Sequence, residues 1–258
     1  MKRIQVIANL AGAIALLAST AVLNAEPILY STTGVGNTLV RIDVGDGTVT
    51  TIGDFGVPGA TAIAINPHGK LYTVTQGFPA GLNPQLARVN RATGEAEPFG
   101  VSLFPESFMG LGFSPNGRLY GVNAWNGDSL YRFDLKTGNA KKVGVTGGCK
   151  DIMDLAWYHG KMYGVTPDSL YRINLHNGRA ELVKKFLTLS CVMGLAIDDD
   201  GNFYVTEICG EDQPLWRVDP FTGAATKVPL NVGLSLPHGL EFIPTDADDD
   251  DEDADADE

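Results

Sequence analysis

Repetition constrains this chain more than any other feature of it. Five times the chain writes a short strand centred on arginine and closed by a glycine turn: "TLVRIDVGDG" (38–47), "QLARVNRATG" (85–94), "SLYRFDLKTG" (129–138), "SLYRINLHNG" (169–178) and "PLWRVDPFTG" (214–223). The closing glycines Gly47, Gly94, Gly138, Gly178 and Gly223 lie 47, 44, 40 and 45 residues apart. A second recurring part reads as a hairpin: "AIAINPHGKLYTV" (62–74), "GLGFSPNGRLYGV" (110–122), "DLAWYHGKMYGV" (154–165) and "GLAIDDDGNFYV" (194–205). After each arginine strand comes another short strand, such as "TVTTIG" (48–53) or "NAKKVG" (139–144). Each unit therefore holds four strands, A to D, with the arginine on C. Runs of Leu, Val, Ile, Tyr and Phe broken by Asn-, Asp- and Gly-containing turns indicate an all-β chain. A four-stranded unit recurring at this period indicates a β-propeller.

The pattern within the strands agrees. "AIAI" and "LYRI" are apolar on consecutive residues, as in a strand covered on both faces. A blade held between two neighbours meets that condition. Five B strands and five C strands can be counted, but the first B strand, "PILYSTT" (27–33), has no A strand before it. The last A strand, "HGLEFIP" (238–244), has no B strand after it. The two ends complete one blade. The predicted architecture is a five-bladed β-propeller of four-stranded antiparallel blades, closed by pairing the C-terminal strand with the N-terminal hairpin. Such closure leaves few open sheet edges.

The repeat "GLxFxPxGxLY…LYRIDPxTGxxTxVG" resembles that of secreted bacterial β-propeller repeat proteins over residues 27–244. NHL-type, quinoprotein-like and gluconolactonase-like propellers are related groups. The resemblance implies the fold; it does not select an activity, because propellers host many.

The two ends of the chain read differently from the domain, which is expected to span residues 26–245. Residues 1–25 carry Lys2 and Arg3 and then a long apolar stretch ending in small residues, the pattern of a secretory signal peptide. An exported protein, periplasmic or extracellular, is expected, with no stable membrane span once the signal is cleaved. Residues 246–258, "DADDDDEDADADE", hold ten acidic residues in thirteen. Such a run repels itself and buries nothing apolar, so it is expected to be a disordered acidic tail. It dominates the formal charge of −12; without it and without Lys2 and Arg3 the domain carries about −4. Nucleic acid is therefore not an expected partner. A protein or small-molecule ligand and a monomeric state are expected.

Function is expected on the face that bears the D–A and B–C connections. These are longer than the A–B and C–D turns and differ between repeats, for example "TQGFPAGLNPQ" (75–85), "VSLFPESF" (101–108), "TGGCKDI" (146–152) and "EICGEDQP" (207–214). Candidate ligand-binding residues at the channel mouth on that face are Glu106, Asn123, Trp125, Asp154, Glu207 and His238. Asp154 takes a slot that is Ala or Gly in the other four copies. Asn123, Asp154 and Glu207 are candidates for a calcium site, in a pattern that resembles the carboxylate-plus-Asn metal site of gluconolactonase-type propellers. A calcium-dependent lactonase or hydrolase is accordingly the alternative to a binding or scaffold protein.

No nucleophile elbow, zinc-protease motif or phosphate loop occurs, and no catalytic residue is assigned. Met109, Met153 and Met193 occupy equivalent positions and read as filler between converging blades. The five arginines read as structural, each with Asp or Asn two residues on as an expected ion-pair or hydrogen-bond partner. Hairpin register pairs Ile197 with Phe203, and the same arithmetic sets Cys191 opposite Cys209. A disulfide is expected there, leaving Cys149 unpaired.

Overall fold

The computed structural model describes residues 27–75, 83–124 and 127–244. The expected signal peptide, residues 1–25, and the acidic run, residues 246–258, lie outside them. All regular elements among the described residues are strands, grouped in five antiparallel sheets of four.

Blade 1 joins the two ends of the chain: β1 (Ile28–Thr33), β2 (Thr38–Asp43) and β3 (Val49–Asp54) are completed by the last strand, Leu240–Ile243. Blade 2 is β4 (Ile63–Ile65), β5 (Leu71–Val74), β6 (Leu86–Val89) and β7 (Ala96–Phe99). Blade 3 is β8 (Gly110–Phe113), β9 (Leu119–Asn123), β10 (Ser129–Phe133) and β11 (Ala140–Val145). Blade 4 is β12 (Asp154–Tyr158), β13 (Lys161–Thr166), β14 (Ser169–Ile173) and β15 (Ala180–Lys185). Blade 5 is β16 (Val192–Ile197), β17 (Phe203–Glu207), β18 (Leu215–Val218) and β19 (Ala225–Lys227). The final strand is β20 (Leu240–Ile243), which pairs with β1 in the register Ile28↔Ile243 to Ser31↔Leu240. The ring is thus zipped shut by its own termini, as the count of A and B strands predicts.

Burial falls from the axis outward. The A and B strands of blades 2, 3 and 5 are buried at every residue, whereas β3, β11, β15 and β19 are half-buried or exposed. Apolar layers fill the spaces between blades. Phe108, Phe113, Tyr131 and Phe133 of blade 3 pack with Tyr72 and Val74 of blade 2, and Phe203 and Val205 of blade 5 pack with Val165 and Leu170 of blade 4. Edge-to-face ring contacts, Phe108 against Tyr131 and Phe133 and Tyr163 against Phe203, lock those layers.

The glycines beside the axis are set by space. A Cβ on Gly194 would lie 2.2 Å from the His238 carbonyl oxygen, and one on Gly110 would lie 2.5 Å from the Asp154 Cα. Convergence of five strands forbids a side chain there.

The arginine strands differ from expectation in one respect. The Asp or Asn two residues after each arginine serves the turn more than the arginine. Asp134 accepts hydrogen bonds from the Lys136 and Thr137 N–H groups, Asn174 from His176, and Asp219 from Phe221 and Thr222. These backbone bonds hold the Asp134 and Asp219 carboxyls below the usual range. The turn ends at a glycine of positive φ, 71° to 81° at Gly47, Gly94, Gly138, Gly178 and Gly223, where a Cβ would be strained. The arginines find other partners. Arg88 lies over the Phe99 ring at 4.7 Å, Arg172 pairs with Glu181, and Arg217 donates to Asn202. Arg41 lies 4.0 Å from Asp43, the one pair of the expected kind among the described residues.

Cys191 and Cys209 form a disulfide, with Cα atoms 5.6 Å apart. The path differs slightly from simple register. Gly194↔Thr206 and Ile197↔Phe203 keep it, but the pairing shifts at Met193, so that Val192 faces Glu207. Cys149 is free and buried, and burial pushes its thiol up to about 11.

Candidate functional site

The innermost strands β4, β8, β12, β16 and β20 surround the axis, and Asp154 stands at the start of β12. It is fully buried. Its Oδ2 accepts the N–H groups of Leu195 on β16 and Leu240 on β20, both at 3.0 Å, and its Oδ1 accepts its neighbour Leu155 at 2.9 Å. The Leu111 N–H of β8 also bonds to it. One carboxyl therefore gathers backbone donors from blades 1, 3, 4 and 5. Burial raises it well above the usual carboxylate range, against the opposing pull of these N–H groups. This explains the lone Asp among Ala and Gly: it is the acceptor for donors that converge on the axis.

Next to it, Met109, Met153 and Met193 form one buried cluster with Ala124, with Ile208 packed on it. The three equivalent methionines fill the axis with adaptable side chains.

The other candidates are held in separate local networks. Asn123 donates to Glu106 and accepts the Ser129 N–H at 2.8 Å. The Tyr131 hydroxyl joins this pair, and burial followed by the hydrogen bond to Glu106 raises its pKa. Glu207 accepts the Ser190 N–H at 3.2 Å and the Trp216 indole N–H at 3.1 Å. His238 is buried, its Nδ1 lies 3.0 Å from the Leu236 carbonyl oxygen, and desolvation lowers its pKa. Trp125 lies outside the described residues, as do residues 76–82 of the B–C connection of blade 2. Asn123, Asp154 and Glu207 each have protein partners for their oxygens. Among the described residues, no three His, Cys, Asp or Glu side chains come together as a metal cage.

The D–A connections expose large apolar side chains among polar ones such as Ser102, Lys150, Thr188 and Ser235. Val101 and Phe104 follow β7, Val145 ends β11, Leu187 follows β15, and Val232 and Leu236 lie between β19 and β20. Phe104 and Leu187 are 64% and 69% exposed.

A second feature, on the A–B turn side, was not among the sequence candidates. A cleft of about 720 Å³ opens between blades 3 and 4. Arg118, Arg132, Lys141, Lys142 and His176 line it, Trp157 and Tyr120 supply aromatic surface, and no carboxylate lies in its wall. Its signal was present in the repeat. Arg132 faces Lys141 across the C–D pair, where Arg88 faces Glu97 and Arg172 faces Glu181. A smaller cavity of about 290 Å³ beside it is lined by Glu241, Pro244, Asp198 and Asp199, and shares Ser114, Pro115 and Trp157 with the cleft.

Together these features define a five-bladed β-propeller of repeat type whose axis is packed with protein and whose exposed features lie on its connections and between its blades. The chain belongs to the family described as a repeat of unknown function, DUF6923, whose model matches residues 61–194, just over half of its length. No curated protein matches it in sequence. Similar solved structures include a structural-genomics protein of unknown function from Bacteroides thetaiotaomicron, at 17% identity and a TM-score of 0.58, with 82% of this chain and 64% of that one covered. The chain thus spans less than two thirds of that protein. A second is the nidogen/laminin complex, at 11% identity and a TM-score of 0.58, covering 84% of this chain and 97% of that one. A third is TolB from Acinetobacter baumannii, at 14% identity and a TM-score of 0.54, covering 85% and 67%. At these identities the likeness is one of fold.

Proposed function

We propose that this protein is an exported binding scaffold, related to the secreted bacterial propellers with LYRIDPxTG-type repeats. It presents its D–A and B–C connections to a macromolecular partner or ligand. The observation that carries the reading is the distribution of exposed apolar side chains. Six of the nine large ones exposed among the described residues, Val101, Phe104, Val145, Leu187, Val232 and Leu236, sit on or enter D–A connections. Single exposed apolar residues are ordinary, but their recurrence on connections of four blades favours an interaction surface. One solved neighbour in fold comes from a nidogen/laminin complex, and a role in holding a partner is proposed here on the same architecture. A disulfide, and the lack of any helix among the described residues long and apolar enough to cross a membrane, are compatible with export.

The test compares partners retained from an envelope extract of the source organism by the wild type and by F104E/L187E/V232E. A partner held by the wild type and lost from a variant of unchanged Tm supports the reading. Equal retention by both proteins refutes it. Calcium-dependent hydrolysis at the channel mouth, the alternative, is tested by calcium titration: a rise in Tm abolished by D154A or E207A would favour it.

A further inference from the structure

The cleft between blades 3 and 4 concentrates positive charge on a domain that is otherwise net negative. Arg118 comes from the A–B turn of blade 3, Arg132 from β10, and Lys141 and Lys142 from β11. All four are exposed, and none is in an ion pair with a described residue. Arg132 and Lys141 are direct cross-strand partners. Like charges placed so repel each other and destabilise a sheet. The same repeat position elsewhere holds Glu97, Glu181, Thr50 or Thr226 opposite the arginine. Blade 3 is the exception, and an anion in the cleft would relieve its repulsion. Trp157, half-buried, offers an apolar floor.

We infer that the occupant of this cleft is the chain's own acidic segment, Asp246–Glu258. Three observations converge. The segment carries ten carboxylates and no cation, complementary to a cleft wall with four cations and no carboxylate. The described chain ends at Pro244, which lines the cavity sharing Ser114, Pro115 and Trp157 with the cleft. The fourteen residues beyond Pro244 reach about 45 Å when extended, at about 3.3 Å each, far more than the step to an adjoining cavity requires. The alternating "DADADE" end places small alanines between carboxylates, so no bulky side chain opposes contact of the acids with the cleft wall. Attachment to the same chain holds the segment at high effective concentration, so weak individual pairs sum to an occupied cleft at low salt.

Carbodiimide cross-linking of the full chain, read by peptide mass spectrometry, tests this. At low ionic strength, Lys141 and Lys142 are expected to dominate the lysines joined to residues 246–258, at a yield independent of protein concentration. In about 0.5 M NaCl, where the screening length is only a few ångströms, these links should fall at least about fivefold. Links spread evenly over Lys70, Lys136, Lys161, Lys184 and Lys227 would overturn the inference. So would a yield that rises with concentration, which would make a second copy the occupant. A second readout leaves the propeller untouched. Replacing all ten acids of the segment by Asn or Gln should speed acylation of Lys141 and Lys142 by about fivefold relative to Lys227. An unchanged ratio would also overturn it.

Discussion

Removing the axial carboxyl by D154A would measure how much one side chain contributes to closing the ring. The substitution only removes atoms, leaving the methyl that Ala62 carries at the equivalent position, so it introduces no steric conflict. It removes the acceptor for the N–H groups of Leu195 and Leu240, each 3.0 Å from Oδ2. Those strands belong to blades 5 and 1, the two that meet at the closure. A buried N–H left without a partner costs about 1–3 kcal/mol. Two of them cost about 2–6 kcal/mol, and relief from holding a desolvated carboxyl offsets part of that. A net loss of about 3 kcal/mol corresponds to a fall in Tm of about 6–12 °C for a domain of this size.

Thermal unfolding by circular dichroism reads the shift, and amide exchange at Leu195 and Leu240 locates it. The pH dependence has a definite sign. Burial raises the folded carboxyl, so the folded state keeps its proton to higher pH than the unfolded chain does. The stabilising contribution of this proton is fully present below the ordinary value of about 3.9 and is lost as pH rises through the folded value. The gap between wild type and D154A should therefore be wider at acid pH than at neutral pH. A D154A protein as stable as the wild type, or more stable, would refute the view that Asp154 braces the axis, and would make it a tolerated burden instead.

Other outcomes can be checked with the same protein. C191A/C209A removes a bridge across 18 residues of chain, and should lower stability by about 3 kcal/mol in chemical denaturation; a loss below about 0.5 kcal/mol would contradict the loop-entropy account. Glu241, at the A–B end of the axis, is raised first by burial and then by the charge of Asp154. E241Q should gain stability over the wild type as pH rises above about 4.3, because the glutamine has no proton to lose, and pH-independent parity would count against it. The Cys149 thiol, buried and pushed up to about 11, should resist iodoacetamide at pH 8 and react only after unfolding; prompt labelling of the native protein would disprove its protection.

Most of the architecture was legible in the sequence because each repeat states its own local rules. The C–D turns need Asp or Asn and then a glycine at positive φ. The A and B strands need apolar residues on both faces. An A strand without its B strand at one end, and the reverse at the other, leaves closure between termini as the consistent topology. The disulfide was legible through register, despite the irregularity at Met193, because the bridge tolerates a one-residue shift that keeps its Cα atoms 5.6 Å apart. The arginine partners were less legible. Strand spacing suggested Asp43, Asn90, Asp134, Asn174 and Asp219, but backbone donors of the turn compete for the same oxygens and mostly win.

Sequence alone determined the number of blades, their strand order and the way the ring closes, since these follow from short-range patterning repeated at a fixed interval. Only the tertiary structure decided what Asp154 does, because its partners, Leu111, Leu195 and Leu240, come from three other blades. It likewise separated Glu106 and Asn123 from Glu207 and His238, and assembled the cationic cleft from Arg118, Arg132, Lys141 and Lys142. Residues distant along a repeat chain become neighbours only through blade packing, and their electrostatics depend on burial and distances that exist only once the ring is closed.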